Sequence, residues 1–355
     1  MKSILSTDYY VHFNNNAFVA LKKYLNDNFH SKLFILVDIN TMEHCLPYFL
    51  QHIEGDMDFE IIEIKAGEIY KNLDTCSQIW DELTGLGADR KSILINLGGG
   101  VITDMGGFVA STFKRGIKFI NIPTTLLSMI DASVGGKTGV DLGVLKNQIG
   151  LFSNPEMVLI DTSFLRTLSN REMRSGLAEI IKYGLTFDIN IWREIQPLTE
   201  LKSGMLDDLV YRSIVIKNNV VLKDLKEDNL RKTLNFGHTM GHAIESYFLE
   251  SKEKNSLTHG EAIAIGMVIE LYYSSRLFDY AISETNALKD FVIRYYGKVP
   301  ILASDFDAII DLMKYDKKNV SGLINFILLK NVQEFAFDVQ VDNKLLLEGL
   351  NYYNE

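Results

Sequence analysis

The stretch RKTLNFGHTMGHAIES, residues 231–246, carries Arg231, Asn235, His238 and His242 at spacings of four, three and four. On a single helix that spacing puts all four on one stripe, and puts Phe236, Met240, Ala243 and Ile244 on the opposite face. A stripe facing solvent usually draws Lys and Glu, whereas this one has Asn and His. Gly237 and Gly241 each cost about 1 kcal/mol against Ala inside a helix, so another group is expected to approach closely there. The stripe therefore reads as a site rather than a wet face.

Three of the seven histidines, His238, His242 and His259, fall within 22 residues. Two helical histidines four apart suggest zinc ligands. The peptidase pattern HExxH is absent, because Thr239 and Met240 occupy the interior. A third ligand would have to be His259, in LTHGEA, or a carboxylate from elsewhere. GLAEIIKYG (176–184) offers Glu179 among Leu177, Ile180 and Ile181, with Lys182 one turn on. A Glu in that setting is costly unless it meets a cation or a metal. A His/His/Glu divalent site and a buried ion-pair network both satisfy that requirement. His12, His30, His44 and His52 are scattered near the N-terminus and receive no role.

Two further stretches suit anions. LINLGGGVITDMGGF (94–108) reads as a strand entering Gly98, Gly99 and Gly100 and then a helix start, a cradle of backbone amides for a pyrophosphate. Thr103 stands where a dinucleotide fingerprint would have its third glycine. Asp38, closing LFILVD, can take a ribose hydroxyl, which favours NAD over NADP, although it precedes the glycine loop instead of following it. DASVGGKTGVDLGVLKNQIG (131–150) gathers Asp131, Lys137, Lys146 and Asn147 in a glycine-rich run, and FKRGIKF adds Lys114 and Arg115. Lysines beside paired glycines place a point charge over a phosphate.

The elements that must hold these groups change character along the chain. KLFILVD (32–38), FEIIEIK (59–65), SILINLGGG (92–100), KFINIP (118–123) and MVLID (157–161) are short apolar β-rich runs separated by longer mixed segments. That alternation predicts an α/β half with a Rossmann-like, mostly parallel sheet. From about residue 168 long helical patterns take over: REMRSGLAEIIKYGL, DDLVYRSIVIKNNVVLKDL, residues 231–246 and GEAIAIGMVIELYYSSRLF. GLINFILLK (322–330) is the one strand expected there. The reading is an α/β domain over 1–167, which carries the glycine loop, and a mainly α-helical domain over 168–355, which carries the three clustered histidines. SKEKNS (251–256) reads as a solvated loop.

Bulk properties bound the function. The chain has 355 residues, 47% hydrophobic and 23% charged, with a mean hydropathy of +0.04, an ordinary globular balance. It shows no basic-then-apolar leader and no run of 18 apolar residues, so a cytoplasmic protein is expected. Cys45 and Cys76 lie far apart in no metal or redox spacing and read as reduced core thiols. A net charge of −10 argues against nucleic acid as a partner. An anionic ligand is still accessible if the few cations are gathered locally.

Taken in order, GGGVITDMGGF, KRGIKFINIPTTLLSMIDASVGGKTGVDL, LKNQIGLFSNP, SGLAEIIKYGL, LRKTLNFGHTMGHAIE, THGEAIAIGM and DKKN closely resemble the 3-dehydroquinate synthase family, within the sugar-phosphate cyclases, across nearly the whole chain. The resemblance implies a cytoplasmic homodimer of the shikimate pathway with NAD and one Zn2+ or Co2+. It makes the domain over 1–167 NAD-binding and the domain over 168–355 metal- and substrate-binding. It implies conversion of 3-deoxy-D-arabino-heptulosonate 7-phosphate to 3-dehydroquinate and phosphate. The steps would be transient oxidation, phosphate elimination, re-reduction and aldol cyclisation, so NAD is regenerated in each turnover.

Residue by residue, the resemblance makes Glu179, His238 and His259 the metal ligands and turns His242 into a substrate-facing group. NAD would lie on Gly99, Gly100, Val101 and Asp104. Asp38, Glu68, Lys71, Thr124, Thr125, Lys137, Lys146 and Thr167 would surround it. The substrate would meet Asp131, Lys137, Asn147, Lys182, Lys217, Glu227, Arg231, Asn235, His242 and the Lys317–Lys318 pair, with Arg115 reaching in from a partner subunit. VDLGVLKN lacks the proline common after GKTG in the family. The rivals are another sugar-phosphate cyclase, a metal-dependent glycerol-type dehydrogenase and a non-catalytic phosphosugar-binding relative. Intact Asp131 and Lys137 favour the dehydroquinate branch.

Overall fold

The computed structural model describes residues 1–53, 57–143, 145–314 and 323–355. Their contacts divide the chain into two compact units, Met1–Met173 and Arg174–Glu355.

The first unit is built on a seven-stranded sheet. Its strands are β1 (Ile4–Leu5), β2 (Tyr10–Phe13), β3 (Leu33–Asp38), β4 (Phe59–Ile64), β5 (Ile93–Gly98), β6 (Lys118–Pro123) and, after the hairpin β7 (Lys137–Leu142) and β8 (Leu145–Phe152), β9 (Met157–Ile160). The order across the sheet is β1-β2-β9-β6-β5-β3-β4. All neighbours run parallel except β1, which pairs antiparallel with β2. The expected mostly parallel sheet is present. β3, β5 and β9 are apolar along nearly their whole length because both of their faces are covered. The helices of this unit are α1 (Asn15–Asp27), α2 (Ile39–His44), α3 (Leu46–His52), α4 (Leu73–Gly85) and α5 (Gly100–Thr112). α4 and α5 close one core with Phe34, Leu36, Ile62, Leu94 and Phe119 from the strands and Val140 from the hairpin. Cys45 and Cys76 are buried free thiols, as expected. Burial pushes them up to about 11 and about 12.

The remaining elements are α6 (Asn170–Thr186), α7 (Ile189–Ile195), α8 (Ser203–Lys223), α9 (His238–Glu250), α10 (His259–Leu277), α11 (Ile282–Tyr296), α12 (Phe306–Met313), the hairpin β10 (Phe326–Asn331) and β11 (Glu334–Val339), and α13 (Asn343–Asn354). α10 is apolar around its circumference because α9, α11, α13 and β10 all pack against it. A Thr258–Glu261 capping box starts it. The expectation of one strand in this half is corrected: the segment pairs with β11, whose polar edge positions hide its alternation.

A second correction concerns residues 231–246, which do not form one helix. Leu230–Asn235 is a tight 3-10 turn, Gly237 takes the left-handed conformation at φ +80°, and α9 begins only at His238. A Cβ on Gly237 would fall 2.4 Å from the Met267 side chain, and one on Gly266 would fall 2.1 Å from the Gly237 carbonyl oxygen. α9 and α10 thus touch backbone to backbone, and that close approach is what the glycines serve.

Candidate active site

In the second unit, α6, α9 and α10 bring their polar groups to one place. Gly260 follows His259, and a Cβ there would lie 2.0 Å from the Ser175 carbonyl oxygen, so the start of α10 rests directly on α6. The Ser175 hydroxyl accepts from the Gly260 N–H at 3.0 Å. His238, His242 and His259 place ligand nitrogens within 4.8 Å of one another, with ring centroids 5.2 to 5.7 Å apart. Glu179 is fully buried. Its Oε1 stands 3.5 Å from His238 Nε2 and 3.6 Å from His259 Nε2, and neither carboxylate oxygen meets hydrogen-bond geometry. Lys182, 1% exposed, pairs with the same carboxylate and donates to the Leu234 carbonyl oxygen at 2.6 Å. Burial alone would lower the His259 pKa, but Glu179 and Glu245 raise it from 6.5 to about 9.

Both His238 and His259 are oriented from outside this cluster. His238 Nδ1 lies 3.0 Å from the Phe236 carbonyl oxygen, and His259 Nδ1 lies 3.2 Å from a Glu245 carboxylate oxygen. α9 lacks a side-chain cap at Gly237, and buried Glu270 of α10 serves instead. Its carboxylate accepts the Gly237 N–H at 2.6 Å and the Met240 N–H at 3.0 Å. An anion at a helix N-terminus is favoured, and two amides without helical partners are satisfied.

The polar groups of the preceding turn stay close in sequence. Arg231 is buried, donates from Nη1 to the Leu225 carbonyl oxygen at 2.8 Å, and is anchored by its own N–H on Asp224 at 2.9 Å. Asn235 donates to Glu227 at 2.7 Å, with Glu227 itself at φ +66°. Lys217 is buried on α8.

In the first unit, Gly98 ends β5, Gly99 is the N-cap of α5, and Gly100 and Val101 open the helix. The strand-to-helix reading of this loop holds. Thr124, its N–H bonded to the Gly98 carbonyl, and Thr125 close the adjacent end of β6. Asp38 closes β3, and its Oδ1 caps α2 by accepting from Asn40 and Thr41 N–H at 2.9 Å each. Lys71 is buried and donates to Asp104 at 2.6 Å and to Asn147 at 2.7 Å. Burial lowers its pKa, but Asp104, Glu68 and Asp141 outweigh that and raise it. Lys146 pairs with Glu68 at 3.4 Å. Asp131 lies in a π-helical turn, Ser128–Ala132. Gly135 and Gly136, at φ +105° and +68°, lead into Lys137 at the start of β7, and a Cβ on Gly136 would meet the Asn154 amide oxygen at 2.3 Å. Thr167 ends a 3-10 turn, Thr162–Thr167. Lys114 and Arg115 are exposed in a turn where both, and Gly116, are left-handed. Lys317 and Lys318 lie outside the described residues.

The family models for the 3-dehydroquinate synthase N-terminal and C-terminal regions match residues 61–175 and 176–319. A 3-dehydroquinate synthase of Parabacteroides distasonis is 42% identical over 337 residues, 94% of this chain and 95% of that protein. The chain belongs to the 3-dehydroquinate synthase family. Another 3-dehydroquinate synthase, from Campylobacter jejuni, is 39% identical over 87% of this chain and 90% of its own. Two solved structures share the fold. A 2-deoxy-scyllo-inosose synthase complexed with carbaglucose-6-phosphate, NAD+ and Co2+ superposes with TM-score 0.84 at 24% identity, covering 99% of both chains. A 2-epi-5-epi-valiolone synthase from Streptomyces hygroscopicus, with NAD+ and Zn2+ bound, gives 0.82 at 25% identity, covering 100% of this chain and 99% of its own.

Within this 3-dehydroquinate synthase family chain, four acidic residues of the site escaped the sequence reading, among them Asp224, which anchors the Arg231 N–H. Glu270 stands alone in the apolar run AIGMVIELYY, the same signal that singled out Glu179, and was findable by the same rule. Glu245 lies three residues past His242, just beyond the stripe. Asp141 holds the Asn147 N–H at 2.7 Å, and its own N–H donates to the Lys71 carbonyl. Burial raises the Asp141 pKa, against the opposing charge of Lys71.

Proposed function

We propose that this 3-dehydroquinate synthase family member converts 3-deoxy-D-arabino-heptulosonate 7-phosphate to 3-dehydroquinate and phosphate, using NAD and one Zn2+ or Co2+. The observation that carries the reading is the Glu179 carboxylate, fully buried, with two imidazole Nε2 atoms 3.5 and 3.6 Å from one of its oxygens. A structural ion pair would need only Lys182. A carboxylate ringed by imidazoles is the donor set for a borderline divalent ion. Glu179, His238 and His259 would hold it, leaving His242 toward the substrate.

When bound, the nicotinamide supplies a reversible hydride acceptor and the divalent ion a Lewis acid for substrate hydroxyls. The chain's own groups do the rest. Gly99, Gly100 and Val101 offer the first amides of α5 to a pyrophosphate, an anion site of the helix N-terminal kind. Asp104, Glu68, Lys71, Lys146, Thr124, Thr125 and Thr167 frame the cofactor. Asp38 would reach a ribose hydroxyl through the oxygen that does not cap α2. Lys137, Lys182, Lys217, Arg231 and the Lys317–Lys318 pair supply cations for a phosphate and a carboxylate, while Asp131, Asn147, Glu227 and Asn235 hold hydroxyls. His242 would be the imidazole that moves a proton. We also assign the chain to the cytoplasm and to a homodimer in which Arg115 serves the partner's site. Among the described residues no helix is long and apolar enough to cross a membrane.

The test is incubation with the heptulosonate phosphate, Zn2+ and NAD+ well below the substrate concentration, following phosphate release. Many turnovers per NAD+ with no net NADH are expected. NADH formed in step with product would favour a metal-dependent dehydrogenase. Turnover of hexose or heptulose phosphates lacking the carboxylate would favour another cyclase.

A further inference from the structure

Glu245 is a buried carboxylate, 4% exposed, on the α9 turn that also carries Ala243, Ile244 and Phe248. In apolar surroundings an ionised carboxylate is costly unless its charge is engaged. It meets His259, the first residue of the neighbouring helix α10, with an oxygen 3.2 Å from Nδ1. The opposite nitrogen of that ring, Nε2, points toward Glu179 at 3.6 Å. The ring is therefore held by one acidic group on each side, and the two sides differ. Glu179 also faces His238 and Lys182, whereas Glu245 addresses the outer nitrogen of His259. In the neutral ring that a metal requires, a carboxylate on Nδ1 keeps the proton on that nitrogen and the lone pair on Nε2. His238 has the same outer contact made by a neutral backbone carbonyl, that of Phe236.

We propose that Glu245 is a positioning residue for the metal centre: it fixes the tautomer and orientation of His259 so that Nε2 is presented to the ion. This rests on the reading of Glu179, His238 and His259 as the ligand set. The arrangement is also reciprocal, because α9 carries the carboxylate that sets the histidine of α10, while α10 carries Glu270, which fixes the start of α9 at His238.

The experiment is a Zn2+ competition titration against a chromogenic chelator, using the full-length wild type and the variants E245A, E245Q and E245D. It is accompanied by the visible spectrum of each Co2+-loaded protein and by the thermal unfolding of each metal-free protein. The expected result is Zn2+ affinity about 10–100-fold weaker in E245A. E245Q, which keeps an acceptor without its charge, should fall between, and E245D should recover part of the loss. The Co2+ spectrum should shift in E245A and E245Q, while metal-free E245Q unfolds at the wild-type temperature. Wild-type affinity and Co2+ spectra in both E245A and E245Q would overturn the proposal alone. So would a loss of affinity that simply tracks lowered stability of the metal-free variants. A wild-type protein that takes up no stoichiometric Zn2+ would overturn the ligand assignment and the proposal together.

Discussion

At the scale of single residues, the imidazole cluster makes opposing demands on protons and metal. His259 has its pKa raised to about 9, so in metal-free protein it stays protonated at neutral pH. The stability this gives is fully present below the unfolded value of 6.5 and is lost as the pH rises through about 9. A bound ion needs the same ring neutral. Zn2+ affinity should therefore rise with pH, by about tenfold per unit for one displaced proton, and level off near pH 9. Calorimetric titrations from pH 6 to pH 10 would check the slope, and a flat profile contradicts it. The ligand assignment separates two similar residues: His259→Ala should lose metal by elemental analysis, while His242→Ala should keep it and lose turnover. Equal metal loss would put both helical histidines in the ligand set. Lys137→Ala should weaken substrate binding or turnover with little change in thermal stability, since a partly exposed lysine after a glycine pair supports no core. Near-normal steady-state kinetics in that variant would remove Lys137 from the anion site.

At the scale of elements, the α9–α10 contact is the joint that sets the site. Gly266→Ala would force a methyl against the Gly237 carbonyl and the Gly241 N–H, at 2.1 and 2.7 Å. Backbone atoms cannot give way as a side chain tip does, so the helices must separate. The expected cost is about 1–3 kcal/mol in a denaturant titration, the usual penalty of overpacking, accompanied by lowered metal content. Glu270→Ala should cost a similar amount, about 1–3 kcal/mol, by leaving the buried Gly237 and Met240 amides without an acceptor. Stability at the wild-type level in either variant would mean that the joint relaxes without loss.

At the scale of the whole molecule, the proposed dimer has a consequence that no single chain shows. If Arg115 serves the partner's site, an Arg115→Ala subunit and a His259→Ala subunit each fail as homodimers for different reasons. In a mixed dimer, the Arg115→Ala subunit keeps its own metal ligands and receives Arg115 from its partner. Unfolding and refolding the two inactive proteins together should therefore restore part of the phosphate release. No recovery, or full activity of the Arg115→Ala homodimer, would confine Arg115 to its own subunit or remove it from the chemistry. The local turn is consistent with a functional rather than a structural arginine. Two adjacent non-glycine residues, Lys114 and Arg115, hold left-handed angles of φ +49° and +68°, each an expense of order 1–3 kcal/mol.

The sequence alone determined the parts whose physics is local. The central strands are legible because apolar runs such as ILINLG must be buried on both faces. The helices α6 and α8 are legible because their apolar positions recur over many turns, α10 because its apolar run is too long for a strand, and Glu179 because a carboxylate among isoleucines and a leucine demands a counterpart. The motif order sufficed to place the chain in its family. Only the tertiary structure decided where residues 231–246 break, since the left-handed Gly237 follows from the approach of Met267 and Gly266 on another helix. It also decided that β11 is a strand, because its partner rather than its own pattern stabilises it. The same holds for the acidic groups behind the histidines. Glu245 acts on a ring 14 residues away, and Glu270 on amides 33 and 30 residues away. Periodicity reports which face of a segment is buried and carries no information about which charge on another segment will meet it there.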